Sequence, residues 1–242
     1  MTILRSLLFN LLFFAFTAAA ALACLPLVPL LDRAGRLAIL AWWAERVLGL
    51  LRLTVGIRLR VTGAEHLPVA GPALIAAKHQ SAFDTIVWFV LLPRPAYVLK
   101  RELLWIPLYG WYARAAGMIG VDRGAGPAAM RHLMRAGAAA LAEGRQIVIF
   151  PEGTRTAPGT RRPYQPGIAA LYARSGLPVI PVATDSGLSW GRRAFRKRAG
   201  TITVAVLPPI PPGLARAEML ARLETAIESE TDRLLASAPP SA

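Results

Sequence analysis

His79 stands five residues before Asp84 in the segment Lys78-His-Gln-Ser-Ala-Phe-Asp84, where an apolar run ends. An imidazole titrates near neutrality and can take a proton from a hydroxyl, while a carboxylate on its other nitrogen fixes the tautomer and stabilises the imidazolium that forms. The pair reads as a general base with its orienting partner. On one continuous helix, residues five apart diverge by about 140°, at roughly 3.6 residues per turn, so His79 and Asp84 need a turn between them. Ser81-Ala-Phe-Asp84 has the spacing of a capping box that opens a helix. That supplies the turn, and it also offers a plainer reading in which Asp84 caps a helix beside an ordinary loop histidine. A protein nucleophile has no good candidate. There is no Gly-x-Ser-x-Gly elbow, Cys24 lies in an apolar stretch, and Ser81 is too close to the cap. The hydroxyl to be activated is therefore expected on a substrate, in direct transfer without a covalent enzyme intermediate. Phe150-Pro-Glu-Gly-Thr-Arg155 leaves another apolar run and is the second turn loaded with polar chemistry.

The elements that must position these turns are short apolar runs alternating with segments of helical composition. Strands are predicted at Arg58–Val61, Ala73–Ala77, Ala96–Leu99, Met118–Val121, Gln146–Phe150, Pro178–Thr184 and Thr201–Leu207. Helices are predicted at Thr85–Leu92, Pro107–Ala116, Pro127–Glu143, Gly167–Ser175 and Arg216–Ala236, with a frayed Ala/Pro/Ser tail after Leu235. Continuous rather than alternating apolar strands are expected where both faces are covered. The fold class is thus α/β: a mainly parallel central sheet with helices on both faces.

Ahead of this domain, no charged side chain occurs from Ser6 to Leu31, long enough for a hydrocarbon core that needs about 20 residues. A cleaved signal is the competing reading, since Ala21-Leu-Ala-Cys24 resembles a lipoprotein cleavage site, but the sequence stays apolar past Cys24. Pro26 and Pro29 can turn the chain back, and Leu37–Leu53, with Trp42, Trp43, Arg46 and Arg52, has the composition of an interfacial helix. A hairpin lodged in one leaflet and a full span are both open. The expected organisation is a membrane-anchoring helical segment over 1–56 and a catalytic domain over 57–242.

The chain's 242 residues suffice for one sizeable core and not for two ordinary enzyme domains. Apolar residues reach 55% and charged residues only 17%, yet the net charge is +14. That pairing suits an anionic lipid surface. No nucleic-acid-binding motif is present, so no nucleic-acid partner is expected. Neither a set of residues with metal-ligand spacing nor a Walker-type loop occurs, so no metal or other cofactor is expected. A single cysteine permits no internal disulfide and fits a reducing cytoplasm. The cluster Arg192–Arg198 reads as a contact for lipid headgroups, as a contact for an acidic carrier, or as a solvated loop.

Four ordered segments, His79-x4-Asp84, Gly117-Met-Ile-Gly-Val-Asp-Arg123, Phe150-Pro-Glu-Gly-Thr-Arg155 and Gly176-Leu-Pro-Val-Ile-Pro-Val182, resemble the four blocks of the glycerolipid acyltransferases, most closely the 1-acylglycerol-3-phosphate O-acyltransferase branch. The resemblance implies that His79 removes the proton from the 2-hydroxyl of lysophosphatidic acid as it attacks an acyl thioester, with Asp84 as orienting partner. It implies a phosphate-binding role for Arg123. Around Glu152, Gly153, Thr154 and Arg155 it implies a substrate-binding turn in which a small residue lets backbone N–H groups approach an anion, while arginine grips phosphate bidentately. Glu152 would order that loop or contact glycerol hydroxyls. Lys100, with Arg101, is a further phosphate candidate or a snorkelling pair at the membrane surface. Lys78 departs from the pattern, since many relatives carry asparagine there, which leaves the dyad intact and bears on substrate specificity. The implied partners are membrane lipids and acyl-CoA or acyl carrier protein as acyl donor. The implied location is the cytoplasmic membrane, with the catalytic domain on the cytoplasmic side. Alternatives are an acyltransferase for another lysolipid such as lyso-ornithine lipid, a hydrolase, and a non-catalytic lipid-binding protein.

Overall fold

The computed structural model describes residues 2–238. Seven strands pair in the order β1-β7-β6-β2-β5-β3-β4. They are β1 (Ile57–Thr62), β2 (Ala73–Ala77), β3 (Pro95–Lys100), β4 (Ile119–Val121), β5 (Gln146–Ile149), β6 (Val179–Thr184) and β7 (Gly200–Val206). Five neighbours, β6, β2, β5, β3 and β4, run parallel; β7 is antiparallel to β6 and parallel to β1.

The strand β2 lies at the centre with all five residues buried, because both of its faces are covered. Its side chains alternate, as extended chain requires. Ala73, Ile75 and Ala77 join a core with helices α1 (Thr2–Cys24), α2 (Arg33–Thr54), α3 (Phe83–Ile86), α4 (Trp88–Leu91) and α5 (Tyr109–Ala115). Leu74 and Ala76 join a second core with α6 (Gly126–Ala142), α7 (Gly167–Ser175) and α9 (Arg216–Ser237), while α8 (Ser186–Ser189) follows β6.

The helix expected over Thr85–Leu92 starts earlier, at Phe83, and breaks at Val87 into α3 and α4. The one expected from Pro107 starts at Tyr109, because Leu108 takes a positive φ of 62° and the Tyr109 N–H bonds back to the Pro107 carbonyl at 2.7 Å. The tail expected to fray is helical to Ser237, and residues 239–242 lie outside the described residues.

The first two helices form an antiparallel hairpin. Asp32 opens α2 by accepting from the Gly35 N–H at 2.8 Å, and Trp43 Nε1 donates to Thr17 Oγ1 at 3.1 Å across the pair. The hairpin is not a separate body: Val47 and Leu51 of α2 share a core with Ile75 and Val148 of the sheet. On α1, Phe9 is fully buried edge-on against Trp190, with ring centroids 5.4 Å apart, and Ser6 Oγ accepts from the Lys197 N–H at 2.9 Å. The outer face of α1, with Leu4, Leu8, Leu11 and Phe14, is exposed. Among the described residues α1 is the one helix long and apolar enough to cross a membrane, which points to membrane association.

Candidate active site

Parallel pairing brings the two loaded turns together. β2 and β5 are neighbours in register, with Ala76 opposite Ile149, so both turns leave the carboxyl edge of the sheet side by side. The ladder continues one residue beyond β2, where the Lys78 N–H donates to the Val182 carbonyl at 2.8 Å. Alternation then sends Lys78 toward the α9 layer and His79 toward the layer holding α1 to α5.

The His79 Nδ1 lies 3.1 Å from Asp84 Oδ2. That oxygen also accepts from the N–H groups of Gln80 and Ser81, each at 2.7 Å. A carboxylate only accepts, so Nδ1 is the donor, and in the neutral ring the lone pair then lies on Nε2. Among the described residues no group bonds Nε2. Ser81 Oγ accepts from the Phe83 N–H at 3.1 Å while Asp84 receives the Ser81 N–H, so the turn that leads into α3 and the orientation of the imidazole are one arrangement. This also sets where α3 begins. Phe150 stacks on the imidazole at 4.1 Å and 20° between planes, and the histidine is 8% exposed.

The second turn is stitched to the first. Glu152 is 3% exposed, and its Oε2 accepts from the His79 N–H at 3.0 Å. Its Oε1 accepts from Thr156 Oγ1 and faces Lys78 Nζ, both at 2.7 Å. The Thr156 N–H in turn donates to the His79 carbonyl at 2.8 Å. Glu152, expected among substrate-binding residues, thus has both oxygens engaged within the protein, which matches its loop-ordering reading. Gly153 takes φ 69°, and a Cβ built there would stand 3.3 Å from Gln165 Cγ and 4.0 Å from the Arg123 guanidinium. Arg123 therefore lies over this glycine, and Thr154 follows it half-buried.

Arg155 is half-buried and its Nε has no partner. Burial lowers its pKa, Arg192 and Arg193 push in the same direction, and Asp84 and Tyr109 oppose them. The structure thus gathers His79, Asp84, Glu152, Gly153, Thr154, Arg123 and Arg155. Lys100 differs: its ammonium is half-exposed and paired with Glu102 at 3.0 Å, while Arg101 pairs with Asp122 at 3.4 Å and lies over Trp105. Among the described residues no group of three or more His, Cys, Asp or Glu side chains is placed to hold a metal ion.

Sequence reasoning missed what lies beneath the dyad. Lys78 is 1% exposed, and besides Glu152 it meets both carboxylate oxygens of Glu228, on α9, at 2.8 Å. Tyr164 donates its hydroxyl to Glu228 at 2.9 Å, and burial together with that carboxylate raises the phenol pKa. Gln80 Oε1 accepts from the Gly187 N–H at 2.9 Å, tying α8 to the same loop. A signal for Glu228 existed, since it shares the buried helical face of Met219, Leu223 and Ile227.

An imidazole paired with a carboxylate at the carboxyl edge of a parallel sheet, next to a glycine turn covered by a guanidinium group, is an arrangement suited to taking a proton from a hydroxyl. The chain belongs to the acyltransferase family, whose model matches residues 58–185, over half of the chain. It is 36% identical to the 1-acyl-sn-glycerol-3-phosphate acyltransferase of Pseudomonas aeruginosa over 69% of this chain and 64% of that protein. It is 31% identical to the human 1-acyl-sn-glycerol-3-phosphate acyltransferase alpha over 66% of this chain and 58% of that protein. The human beta enzyme is 30% identical over 88% of this chain and 76% of its own length. The chain thus spans less than two thirds of the first two of these relatives. The crystal structure of the 1-acyl-sn-glycerophosphate (LPA) acyltransferase PlsC from Thermotoga maritima shares the fold. Its TM-score is 0.81 over 99% of this chain and 100% of that one, at 23% identity.

Proposed function

We propose that this protein transfers a fatty acyl group from an acyl thioester to the 2-hydroxyl of 1-acyl-sn-glycerol 3-phosphate, giving phosphatidic acid. The observation that carries this reading is the bond from His79 Nδ1 to Asp84, which in the neutral ring puts the lone pair on Nε2, with Arg155 within the electrostatic reach of Asp84 and Arg123 over Gly153 of the adjoining turn. Nε2 takes the hydroxyl proton as the oxygen attacks the thioester carbonyl. The C–S bond then breaks, and the imidazolium returns that proton to the departing thiolate. Arg123 and Arg155 hold the acceptor's phosphate. Asp84 stabilises the imidazolium without itself accepting the proton.

The segment over 1–56, which contains the helical hairpin of α1 and α2, anchors the catalytic domain, 57–242, on the cytoplasmic face of the membrane. In support, the imidazole stacks on Phe150, which packs against the core that contains the hairpin. A site opening toward the bilayer spares its substrates extraction into water, which costs about 0.8 kcal/mol per exposed methylene. The donor is acyl-CoA or acyl carrier protein.

The test is product identification by lipid extraction and mass spectrometry. Purified protein in mixed micelles is given each acyl donor with lysophosphatidic acid, or with a lysolipid lacking phosphate such as lyso-ornithine lipid. Phosphatidic acid formed only with the phosphate-bearing acceptor is expected. Acylation of the phosphate-free lipid alone, or release of free fatty acid without an acceptor, would overturn the proposal.

A further inference from the structure

We infer that Lys78 is a positioning residue for His79, held in place by Glu228 from the far end of the chain. This rests on the reading of His79 as the base. The Lys78 ammonium lies 2.7 Å from Glu152 and 2.8 Å from each oxygen of Glu228, with the carbonyl of Thr160 at 3.5 Å. All three residues are at most 3% exposed. A carboxylate buried without a counter-charge is strongly unfavourable, and Glu152 is the carboxylate that receives the His79 main-chain N–H at 3.0 Å. Lys78 therefore supplies the counter-charge that Glu152 meets beneath the base. Two acids around one lysine leave a charge of the wrong sign for recognising an anion, and the lysine points into the α9 layer, on the opposite side of the chain from His79. It is not a substrate contact.

Glu228 completes the arrangement. It takes the second side of the ammonium and the Tyr164 hydroxyl at 2.9 Å, while Arg161 pairs with Asp232 one turn further along α9. The carboxyl-terminal helix is thereby clamped to the loop after β5 and to the residue preceding the base. A lysine before the histidine and a glutamate on the buried face of α9 form a matched pair. Lys78, Glu152 and Glu228 should therefore act as a unit.

The experiment compares wild type, Glu228→Gln, Lys78→Asn and the double variant in detergent micelles. It measures kcat and KM for the acceptor per folded molecule, and the Nδ1–H resonance of His79 in protein labelled with 15N-histidine. A displaced base costs up to about 100-fold in rate, so Lys78→Asn is expected to lower kcat by about 10- to 100-fold with KM unchanged, and to shift the resonance. Glu228→Gln lowers kcat by at least about threefold, and the double variant is no worse than Lys78→Asn, since members of one unit are not additive. Should Lys78→Asn fail to fold, the isosteric Glu228→Gln decides: wild-type kcat with an unmoved resonance overturns the inference. So does a rise in KM at constant kcat, which would make Lys78 a substrate contact, or losses that multiply in the double variant. If wild type transfers no acyl group, the proposed function fails, and the resonance alone still decides whether the pair positions His79.

Discussion

Asp84→Asn is the sharpest single probe of the site. Asp84 Oδ2 receives three N–H groups, from Gln80 and Ser81 at 2.7 Å and from His79 Nδ1 at 3.1 Å. An asparagine oxygen can keep the two backbone donors, so the turn should survive. Because that same oxygen also faces Nδ1, the ring tautomer should survive as well, and what is lost is the negative charge that stabilises the imidazolium. A hydrogen bond to a charged partner is worth about 1.5–3 kcal/mol, or about 10- to 160-fold in rate. With the charge removed and the hydrogen bond kept in neutral form, kcat should fall by about 10- to 160-fold. KM for the acceptor should move less than kcat, because the hydrogen bonds of Asp84 go to His79, Gln80 and Ser81 and none to Arg123 or Arg155. The assay is acceptor-dependent thiol release from acyl-CoA in mixed micelles, with a melting curve to confirm folding. Asp84→Ala is a poorer probe, since it leaves two buried N–H groups unpaired at about 1–3 kcal/mol each. A folded Asp84→Asn protein with kcat within threefold of wild type would refute the reasoning, as would a loss confined to KM.

Three further outcomes are expected. Arg155→Lys keeps the charge but loses the planar fork, so KM for lysophosphatidic acid should rise about 10-fold with kcat little changed; an unchanged KM contradicts its role as a phosphate ligand. Gly153→Ala forces a side chain onto φ 69°, against Gln165 and Arg123, costing about 1–2 kcal/mol. A lower melting temperature and a raised acceptor KM are expected, and the absence of both would argue against the close approach of Arg123. Phe9→Ala empties a fully buried site against Trp190, at about 3–5 kcal/mol. Limited proteolysis in detergent should then cleave near α1, whereas wild-type protection would mean that this contact does not hold the helix.

The fold was legible where burial on both faces leaves an unbroken apolar run. Ala73–Ala77 and Gly167–Ser175 lie where the sequence places them, and the remaining strands agree within a residue or so. Less legible were starts set by backbone geometry rather than by pattern. Phe83 opens α3 because the Asp84 carboxylate must fold back onto Gln80 and Ser81, and Leu108 delays α5 through a positive φ. The dyad could be read from types and spacing because it is local. The ion cluster could not: Lys78 and Glu228 stand 150 positions apart, and only the packing of α9 joins them. For Glu152 the sequence left loop ordering and contact with glycerol hydroxyls both open, and nothing local showed that Lys78 would be the charge beneath it. Lys78 itself was read as bearing on specificity, since nothing local tells which side of the sheet it faces. The hairpin's composition announced a lipid environment, while Ser6 and Asn10 gave no sign that they bind the loop holding Lys197.

The central claim is that His79 is the base for acyl transfer to a phosphate-bearing lysolipid. Its most direct test is thiol release from acyl-CoA by wild type and His79→Ala, with and without lysophosphatidic acid, alongside a melting curve for each. The account predicts acceptor-dependent release by wild type and its loss in a folded His79→Ala protein. Full activity in that variant would contradict it.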